Sequence, residues 1–250
     1  MSVTDEKGEP VKGLRESDFV LLEDGRSQAI GVFTAGDFPL NVALALDRSF
    51  SMAGERLEAT KKAAHVFIDE LRPSDRVRIV SIGSEFETAD ARTAQHAAID
   101  QIDAWGTTAL HDSIIRSLDL IEKDGPARGR HALVLFSDGA DRYSQAKADD
   151  VLRRARGANV IVYPVAIGRE RPELFAELAS LTGGRSLHLR DARGIEQAVK
   201  EIARELRFQY LVGYTPSRPL TEDRGEWRSI TVRVNRPGIR VRARDGYVVK

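Results

Sequence analysis

The stretch of sequence that decides the fold reads Leu44-Ala45-Leu46-Asp47-Arg48-Ser49-Phe50-Ser51-Met52. The apolar run that ends at Leu46 is typical of a strand buried on both faces, and it passes directly into Asp-x-Ser-x-Ser. Oxygen-bearing side chains at alternate positions of such a loop can converge on one point, and oxygen ligands of mixed charge suit a hard cation such as Mg²⁺. The same residues suit a helix entry with Ser49 or Ser51 as N-cap. Taken alone, this run leaves both interpretations open.

Two later segments favour the metal loop. Gly106-Thr107-Thr108-Ala109-Leu110 opens a helical stretch, and the apolar strand from Leu133 to Phe136 runs into Ser137-Asp138-Gly139. In an open parallel sheet such residues gather at the carboxyl edge of the strands, where ligands bind. These three motifs, in this order, resemble the von Willebrand factor A (VWA) family, and the resemblance extends over about residues 38–207.

In the VWA family these motifs form the metal-ion-dependent adhesion site. The resemblance implies that the ligands here are Asp47, Ser49, Ser51, Thr108 and Asp138. Thr108 is preferred because it stands two residues before Leu110, whereas Thr107 occupies a place that is often Gly. Two carboxylates and three hydroxyls favour a hard divalent cation over zinc: Mg²⁺, with Mn²⁺ or Ca²⁺ as alternatives. The open metal position is then expected to accept an Asp or Glu side chain of a protein partner.

Length and composition limit the function classes. The chain of 250 residues is long enough for one large domain with an accessory layer, or for two domains. Basic and acidic residues are equal in number, 38 each, so the net charge recruits neither nucleic acid nor an anionic membrane. The absence of cysteine excludes disulfides, thiolate metal sites and a cysteine nucleophile. No stretch approaches the roughly 20 apolar residues of a membrane span.

Strand and helix patterns alternate through the middle of the chain. Strands are predicted at 38–46, 76–83, 130–137, 159–167 and 186–189. Helices are predicted at 54–71, 94–102, 109–122, 145–156, 172–182 and 194–207. This alternation predicts an α/β fold, a doubly wound and mostly parallel sheet covered by helices on both faces.

Both ends of the chain read as β structure. The Asp24-Gly25 pair is a hairpin signal between strands at 19–23 and 28–33. Further strands are predicted at 208–214, 227–235, 239–242 and 247–250, with a turn at 223–225 between the first two. We therefore predict one small β-sandwich built from residues 1–37 and 208–250, with the VWA domain of residues 38–207 inserted between them.

Motifs at the two ends sharpen the resemblance. They resemble those of a VWA-related bacterial subfamily with flanking β segments. The motifs are Gly8-x-Pro10-Val11-x-Gly13-Leu14 near the start, and Gln209-Tyr210 and Arg244-x-Gly246-Tyr247 near the end. The subfamily is usually exported, which implies an extracellular or periplasmic location. The first residues lack the basic start and apolar core of a signal peptide, and Val3-Thr4-Asp5 reads as the end of a strand, so a truncated start is expected.

The sequence gives little support to an enzymatic function. Asp47-x-Ser49 lacks the second carboxylate of the Asp-x-Asp loop of haloacid-dehalogenase-like phosphatases, and Ser137 lacks the Gly-x-Ser-x-Gly elbow of hydrolases. No Gly-rich phosphate loop follows a strand. We predict a non-enzymatic protein-binding module. A structural or assembly module whose metal only stiffens the loops is the alternative, and a hydrolase that uses a metal-bound water is less favoured.

Several polar residues admit two interpretations. Asp112 and Asp141 can support the ligands through a hydrogen bond, or they can be a first-turn acid and a loop residue; His111 can line the mouth of the site or lie at the surface. The arginine-rich last strands can bind a polyanion or form the solvated face of an antiparallel sheet, which we favour. The residues concerned are Arg228, Arg233, Arg236, Arg240, Arg242 and Arg244.

Overall fold

The computed structural model describes residues 1–83, 87–89, 92–123, 129–191, 193–220 and 225–249. Within these ranges the strands are β1 (Ser2–Thr4), β2 (Phe19–Glu23), β3 (Arg26–Gln28), β4 (Val32–Asp37), β5 (Leu40–Asp47), β6 (Arg76–Ile82), β7 (Glu87–Ala89), β8 (Arg130–Ser137), β9 (Ile161–Ile167), β10 (Leu187–Leu189), β11 (Phe208–Gly213), β12 (Trp227–Val234), β13 (Arg240–Arg242) and β14 (Gly246–Val248). The helices are α1 (Glu55–Asp69), α2 (Arg92–Asp100), α3 (Leu110–Lys123), α4 (Ala148–Gly157), α5 (Glu173–Thr182) and α6 (Ile195–Arg207).

The central sheet has six strands in the order β10-β9-β8-β5-β6-β7. Every pairing in it is parallel except that of β6 with β7. The middle strand β5 is buried along its whole length, which explains its continuous apolar sequence. The predicted doubly wound α/β sheet is confirmed, and its carboxyl edge is where β5 and β8 deliver Asp47 and Ser137.

Helices cover both faces of this sheet. Alternate side chains of β5 point to opposite faces: Leu44 and Leu46 join the core under α1 and α6, whereas Ala43 and Ala45 join the core under α3, α4 and α5. The apolar side chains of α3 are buried on the second face and comprise Leu110, Ile114, Leu118 and Ile121.

The chain ends form antiparallel sheets around a third core, as the predicted small β-sandwich requires. One sheet has the order β14-β12-β2-β3, and two-stranded sheets pair β11 with β4 and β1 with β13. The core of this part contains Val3, Leu14, Phe19 and Tyr210. The Tyr210 hydroxyl donates to the Val11 carbonyl at 2.9 Å. The first and last segments of the sequence therefore fold together.

The hairpin predicted at Asp24-Gly25 is confirmed, because β2 and β3 pair with Glu23 opposite Arg26 and both turn residues have positive φ angles of 46° and 76°. One expectation is wrong. Residues 28–33 do not form one strand: β3 ends at Gln28 and β4 begins at Val32. The antiparallel edge strand β7 was not predicted, since three residues are too few to show a period. The predicted turn at 223–225 and strand at 247–250 lie partly outside the described residues.

The interpretation of the last strands as a solvated face is wrong for Arg228. Its side chain is fully buried and donates to the Glu23 carboxylate at 3.2 Å and to the carbonyl of Pro219 at 2.7 Å. Arg233, Arg236 and Arg240 are exposed, as expected. The buried pair joins β2, near the start of the chain, to β12, near its end. The alternation of polar and apolar residues along one strand does not reveal such a long-range contact.

Candidate metal centre

Asp47 occupies the last position of β5 and is completely buried. One carboxylate oxygen, Oδ1, accepts the backbone N–H of Ser49 at 2.9 Å, and the other, Oδ2, accepts the Ser137 hydroxyl at 2.5 Å. The hydroxyls of Ser49 and Ser51 lie 3.1 Å apart. The three oxygen-bearing side chains of the Asp-x-Ser-x-Ser motif therefore cluster at the end of this strand.

Thr108 is buried in a loop that is hydrogen-bonded to the two other loops of this edge. On one side, the Trp105 N–H donates to the Arg48 carbonyl at 2.7 Å, and the Phe50 N–H donates to the Gly106 carbonyl at 3.1 Å. On the other side, the Arg142 N–H donates to the Thr108 carbonyl at 3.0 Å. These bonds join the segments that carry all five predicted ligands.

Asp138 follows β8 and is half-buried. Its Oδ1 accepts the N–H of Ala140 at 3.0 Å, and the N–H of Gly139 donates to the Ser137 hydroxyl at 3.0 Å. Gly139 has a φ of +83°, and a Cβ at this position would come within 2.0 Å of the Pro172 side chain. Only glycine fits there, so the Asp-Gly sequence determines the position of the Asp138 carboxylate at the end of the strand.

The electrostatics of the centre favour a bound cation. The pKa of Asp47 is raised to about 6, because burial and, to a smaller extent, the charge of Asp138 raise it by more than the hydrogen bonds from Ser137 and Ser49 lower it. A buried carboxylate beside a second carboxylate is costly unless positive charge compensates it. A divalent cation in contact with both would remove that cost.

The donor set fits a hard cation. The described part of the chain contains no group of three or more His, Asp or Glu side chains that could hold a metal. A metal at this edge would therefore need hydroxyl ligands beside the two carboxylates, and oxygen donors of this kind are suited to Mg²⁺.

Asp112 and Asp141 hold the third loop in place. Asp112 accepts the N–H groups of Gln145 at 3.0 Å and Ala146 at 2.9 Å, and Asp141 accepts the N–H of His111 at 3.2 Å and the Ser144 hydroxyl at 2.6 Å. These contacts tie the start of α3 to the loop after β8. Helix α4 begins at Ala148, later than the predicted residue 145, and Lys147 is its N-cap. His111 places its Nδ1 3.0 Å from the Ala146 carbonyl.

Ser137 belongs to the candidate centre through its hydrogen bonds, although the sequence motifs do not assign it a place there. It was considered as a hydrolase nucleophile, but its hydroxyl donates to Asp47 and accepts from Gly139. It thus holds the Asp47 carboxylate in one orientation and joins the first loop to the third. Its position immediately before the strand-ending Asp-Gly is the signal that could have indicated this role.

A doubly wound α/β sheet with an oxygen-rich loop site at its carboxyl edge defines a ligand-binding domain of the Rossmann-like class. The model of the von Willebrand factor type A domain matches residues 41–201, most of the chain. The protein therefore belongs to the VWA family, whose domains are metal-dependent adhesion and protein-interaction modules.

Three similar proteins illustrate the match. Inter-alpha-trypsin inhibitor heavy chain H1 of Bos taurus is 25% identical over 158 residues, which are 56% of this chain and 17% of the relative. The von Willebrand factor type A structure from Catenulispora acidiphila superposes with a TM-score of 0.58 at 20% identity, covering 75% of this chain and 49% of the other. Proximal thread matrix protein 1 from the mussel byssus gives a TM-score of 0.60 at 11% identity, covering 74% and 50%.

These comparisons show the fold and the family. The chain spans less than a fifth of the length of this inter-alpha-trypsin inhibitor heavy chain. The mussel protein was solved with zinc in its metal-ion-dependent adhesion site motif, so zinc can occupy such a motif in that protein despite the oxygen donors. None of the helices in the described ranges has the length and apolar character needed to cross a membrane.

Proposed function

We propose that the protein binds another protein through a divalent cation held by Asp47, Ser49, Ser51, Thr108 and Asp138. The observation that carries the proposal is the buried Asp47 carboxylate, which lies close to a second carboxylate and is surrounded by hydroxyl and amide donors. A bound cation supplies an open position that accepts a carboxylate from the partner, which is expected to present Asp or Glu.

Each residue has a distinct part in this proposal. Asp47 and Asp138 supply the negative charge, and Ser49, Ser51 and Thr108 supply neutral oxygens. Two carboxylates balance a divalent charge without exceeding it, so an acidic partner group is still attracted. Ser137 orients Asp47 through its 2.5 Å hydrogen bond.

We propose Mg²⁺ as the cation, with Mn²⁺ or Ca²⁺ as alternatives. The oxygen-only donor set favours these ions. The zinc-occupied motif of the mussel protein makes Zn²⁺ a necessary arm of any competition experiment.

The same family assignment supports the remaining proposals. We propose that residues 38–207 form the VWA domain and that residues 1–37 and 208–250 form the β-sandwich; the pairing of β4 with β11 on either side of the first unit supports these limits. We propose an extracellular or periplasmic location, in line with relatives that include a membrane protein and a pilus adhesin. We propose no catalytic role and no nucleic-acid partner.

The test uses two matched peptides, acetyl-Gly-Gly-Asp-Gly-Gly-amide and its Asn analogue. The Asp peptide is expected to bind in Mg²⁺ and to lose binding in EDTA, whereas the Asn peptide binds in neither. Chemical-shift titration of the labelled protein measures both affinities. Asp peptide binding that is unchanged by EDTA would favour the structural alternative, in which the metal only stiffens the loops.

Variants separate the ligand set from the rest of the surface. Asp138→Asn and Ser51→Ala are expected to weaken Mn²⁺ binding, measured by electron paramagnetic resonance, because each removes a ligand oxygen or charge. Asp149→Asn is the matched control, since Asp149 is an exposed acid in the first turn of α4. Equal Mn²⁺ affinity in all three variants would contradict the ligand assignment.

A further inference from the structure

The loops that carry the candidate ligands also carry the three most exposed large apolar side chains among the described residues. Tyr143 is 70% exposed, Phe50 64% and Trp105 57%. The next, Val32 at 52%, lies on β4 in the antiparallel part. Single exposed apolar residues are ordinary, but a group of aromatics at one place marks a contact surface.

Backbone hydrogen bonds bring these aromatics to the same edge of the sheet. The Trp105 N–H donates a hydrogen bond to the Arg48 carbonyl. The carbonyl of the next residue, Gly106, accepts the N–H of Phe50. Tyr143 follows Arg142, whose N–H is bonded to the Thr108 carbonyl. Each of the three ligand loops thus contributes one aromatic ring. We call Phe50, Trp105 and Tyr143 the aromatic rim.

The fold does not need large apolar side chains at these positions. In the first loop, Ser49 and Met52 are buried while Phe50 is exposed, so the ring lies outside the core that Met52 enters. The loops are held by backbone hydrogen bonds and by polar contacts such as Asp141 with Ser144. A polar residue would serve the folded state about as well, because a side chain that stays more than half exposed gains little from the hydrophobic effect.

We propose that the aromatic rim is the contact surface for a protein segment in which the acidic side chain is flanked by large apolar side chains. The inference rests on the proposed function, in which that acid binds at the metal centre. Apolar contacts around a central polar contact exclude water from it, and the lower local dielectric strengthens the attraction between carboxylate and cation. Aromatic side chains are also enriched in protein interfaces.

The experiment compares three blocked pentapeptides in Mg²⁺: Gly-Phe-Asp-Leu-Gly, Gly-Gly-Asp-Gly-Gly and Gly-Phe-Asn-Leu-Gly. Affinities are measured by chemical-shift titration of the labelled protein. The flanked Asp peptide is expected to bind about tenfold more tightly than the unflanked one, because burying part of two apolar side chains contributes on that scale.

A triple variant, Phe50→Ser with Trp105→Ser and Tyr143→Ser, should abolish this tenfold difference and leave Mn²⁺ affinity unchanged. The control is Val32→Ser with Leu220→Ser, which removes exposed apolar side chains away from the three ligand loops and should preserve the difference. Surface substitutions of this kind have little effect on stability, and equal melting temperatures verify that the variants are folded.

The possible outcomes separate the two proposals. If the wild type binds the flanked and unflanked Asp peptides with equal affinity, the proposal of the aromatic rim is overturned and the proposed function stands. The same holds if the difference in affinity persists in the triple variant. Equal binding of the Asp and Asn flanked peptides overturns the metal-dependent function itself. If the flanked Asp peptide shows no binding at millimolar concentration, the rim proposal is also overturned.

Discussion

Two buried carboxylates of this molecule are surrounded by opposite kinds of neighbour. Glu205 on α6 lies at the junction with the β-sandwich and contacts Arg242 at 2.6 Å, Tyr163 at 2.9 Å and Ser2 at 3.1 Å. Asp47, at the carboxyl edge of the sheet, has the second carboxylate of Asp138 nearby. Among the described residues, Glu205 has an arginine partner, whereas the Asp47 carboxylate accepts hydrogen bonds from Ser49 and Ser137.

The difference shows how to separate structural acids from ligand acids. A buried acid with arginine and hydroxyl partners stabilises the fold only while its partners remain, because breaking a buried pair leaves a charge without compensation. A buried acid placed beside another acid costs stability until a cation arrives. Burial alone does not distinguish them, since both residues are nearly inaccessible to solvent.

The largest effect is expected for Glu205→Gln. The substitution keeps the shape but removes the charge that compensates Arg242, so it should lower the free energy of unfolding by about 3 kcal/mol. Urea unfolding measures the loss. Glu201→Gln is the matched control on the same helix; Glu201 is 42% exposed and pairs with Arg185, so it should cost about 0.5 kcal/mol. Equal losses in the two variants would show that the junction is not the compensated site described above.

A smaller and opposite effect on the free energy of unfolding is expected for Asp47→Asn without metal. Because the wild-type charge has no compensation in that state, the neutral variant should be at least as stable as the wild type in EDTA. Urea unfolding in EDTA is the measurement. A loss comparable to that of Glu205→Gln would mean that Asp47 is also a structural acid, and the comparison between the two sites would fail.

The smallest effect is expected for hydrogen exchange in the segment that links the two regions when Mg²⁺ and an acidic peptide bind. Helix α6 ends at Arg207 and β11 begins at Phe208, so no flexible linker absorbs a movement of the helix. We predict weak coupling or none, and hydrogen exchange over residues 194–214 should be the same with and without Mg²⁺ and an acidic peptide. A ligand-dependent loss of protection there would instead reveal a conformational switch.

The local features of the fold were predictable from sequence because their causes are local. Strand β8 has the predicted bounds 130–137, since its apolar run is continuous and ends at Asp138-Gly139. The burial of Asp47 and Thr108 and the clustering of Ser49 with Ser51 agree with the motif positions. Their role as metal ligands stays a prediction.

The missed features depend on residues far apart in sequence. Arg228 is buried because Glu23, about 200 positions earlier, accepts its charge, and Ser137 acts on Asp47 from another strand. Asp112 accepts the N–H groups of Gln145 and Ala146, 33 and 34 positions later, in a stretch that periodicity assigns to helix α4. Hydrophobic periodicity reports which face of an element is buried, but it does not report which polar groups meet there.

The most direct test of the central claim is the free energy of unfolding in excess Mg²⁺ and in EDTA. The claim is that the Asp47 edge requires a cation and the Glu205 junction does not. Wild type and Glu205→Gln should gain the same amount from Mg²⁺, about 2.7 kcal/mol at a hundredfold excess over the dissociation constant, whereas Asp47→Asn should gain nothing. An equal gain from Mg²⁺ in Asp47→Asn and the wild type would contradict the claim.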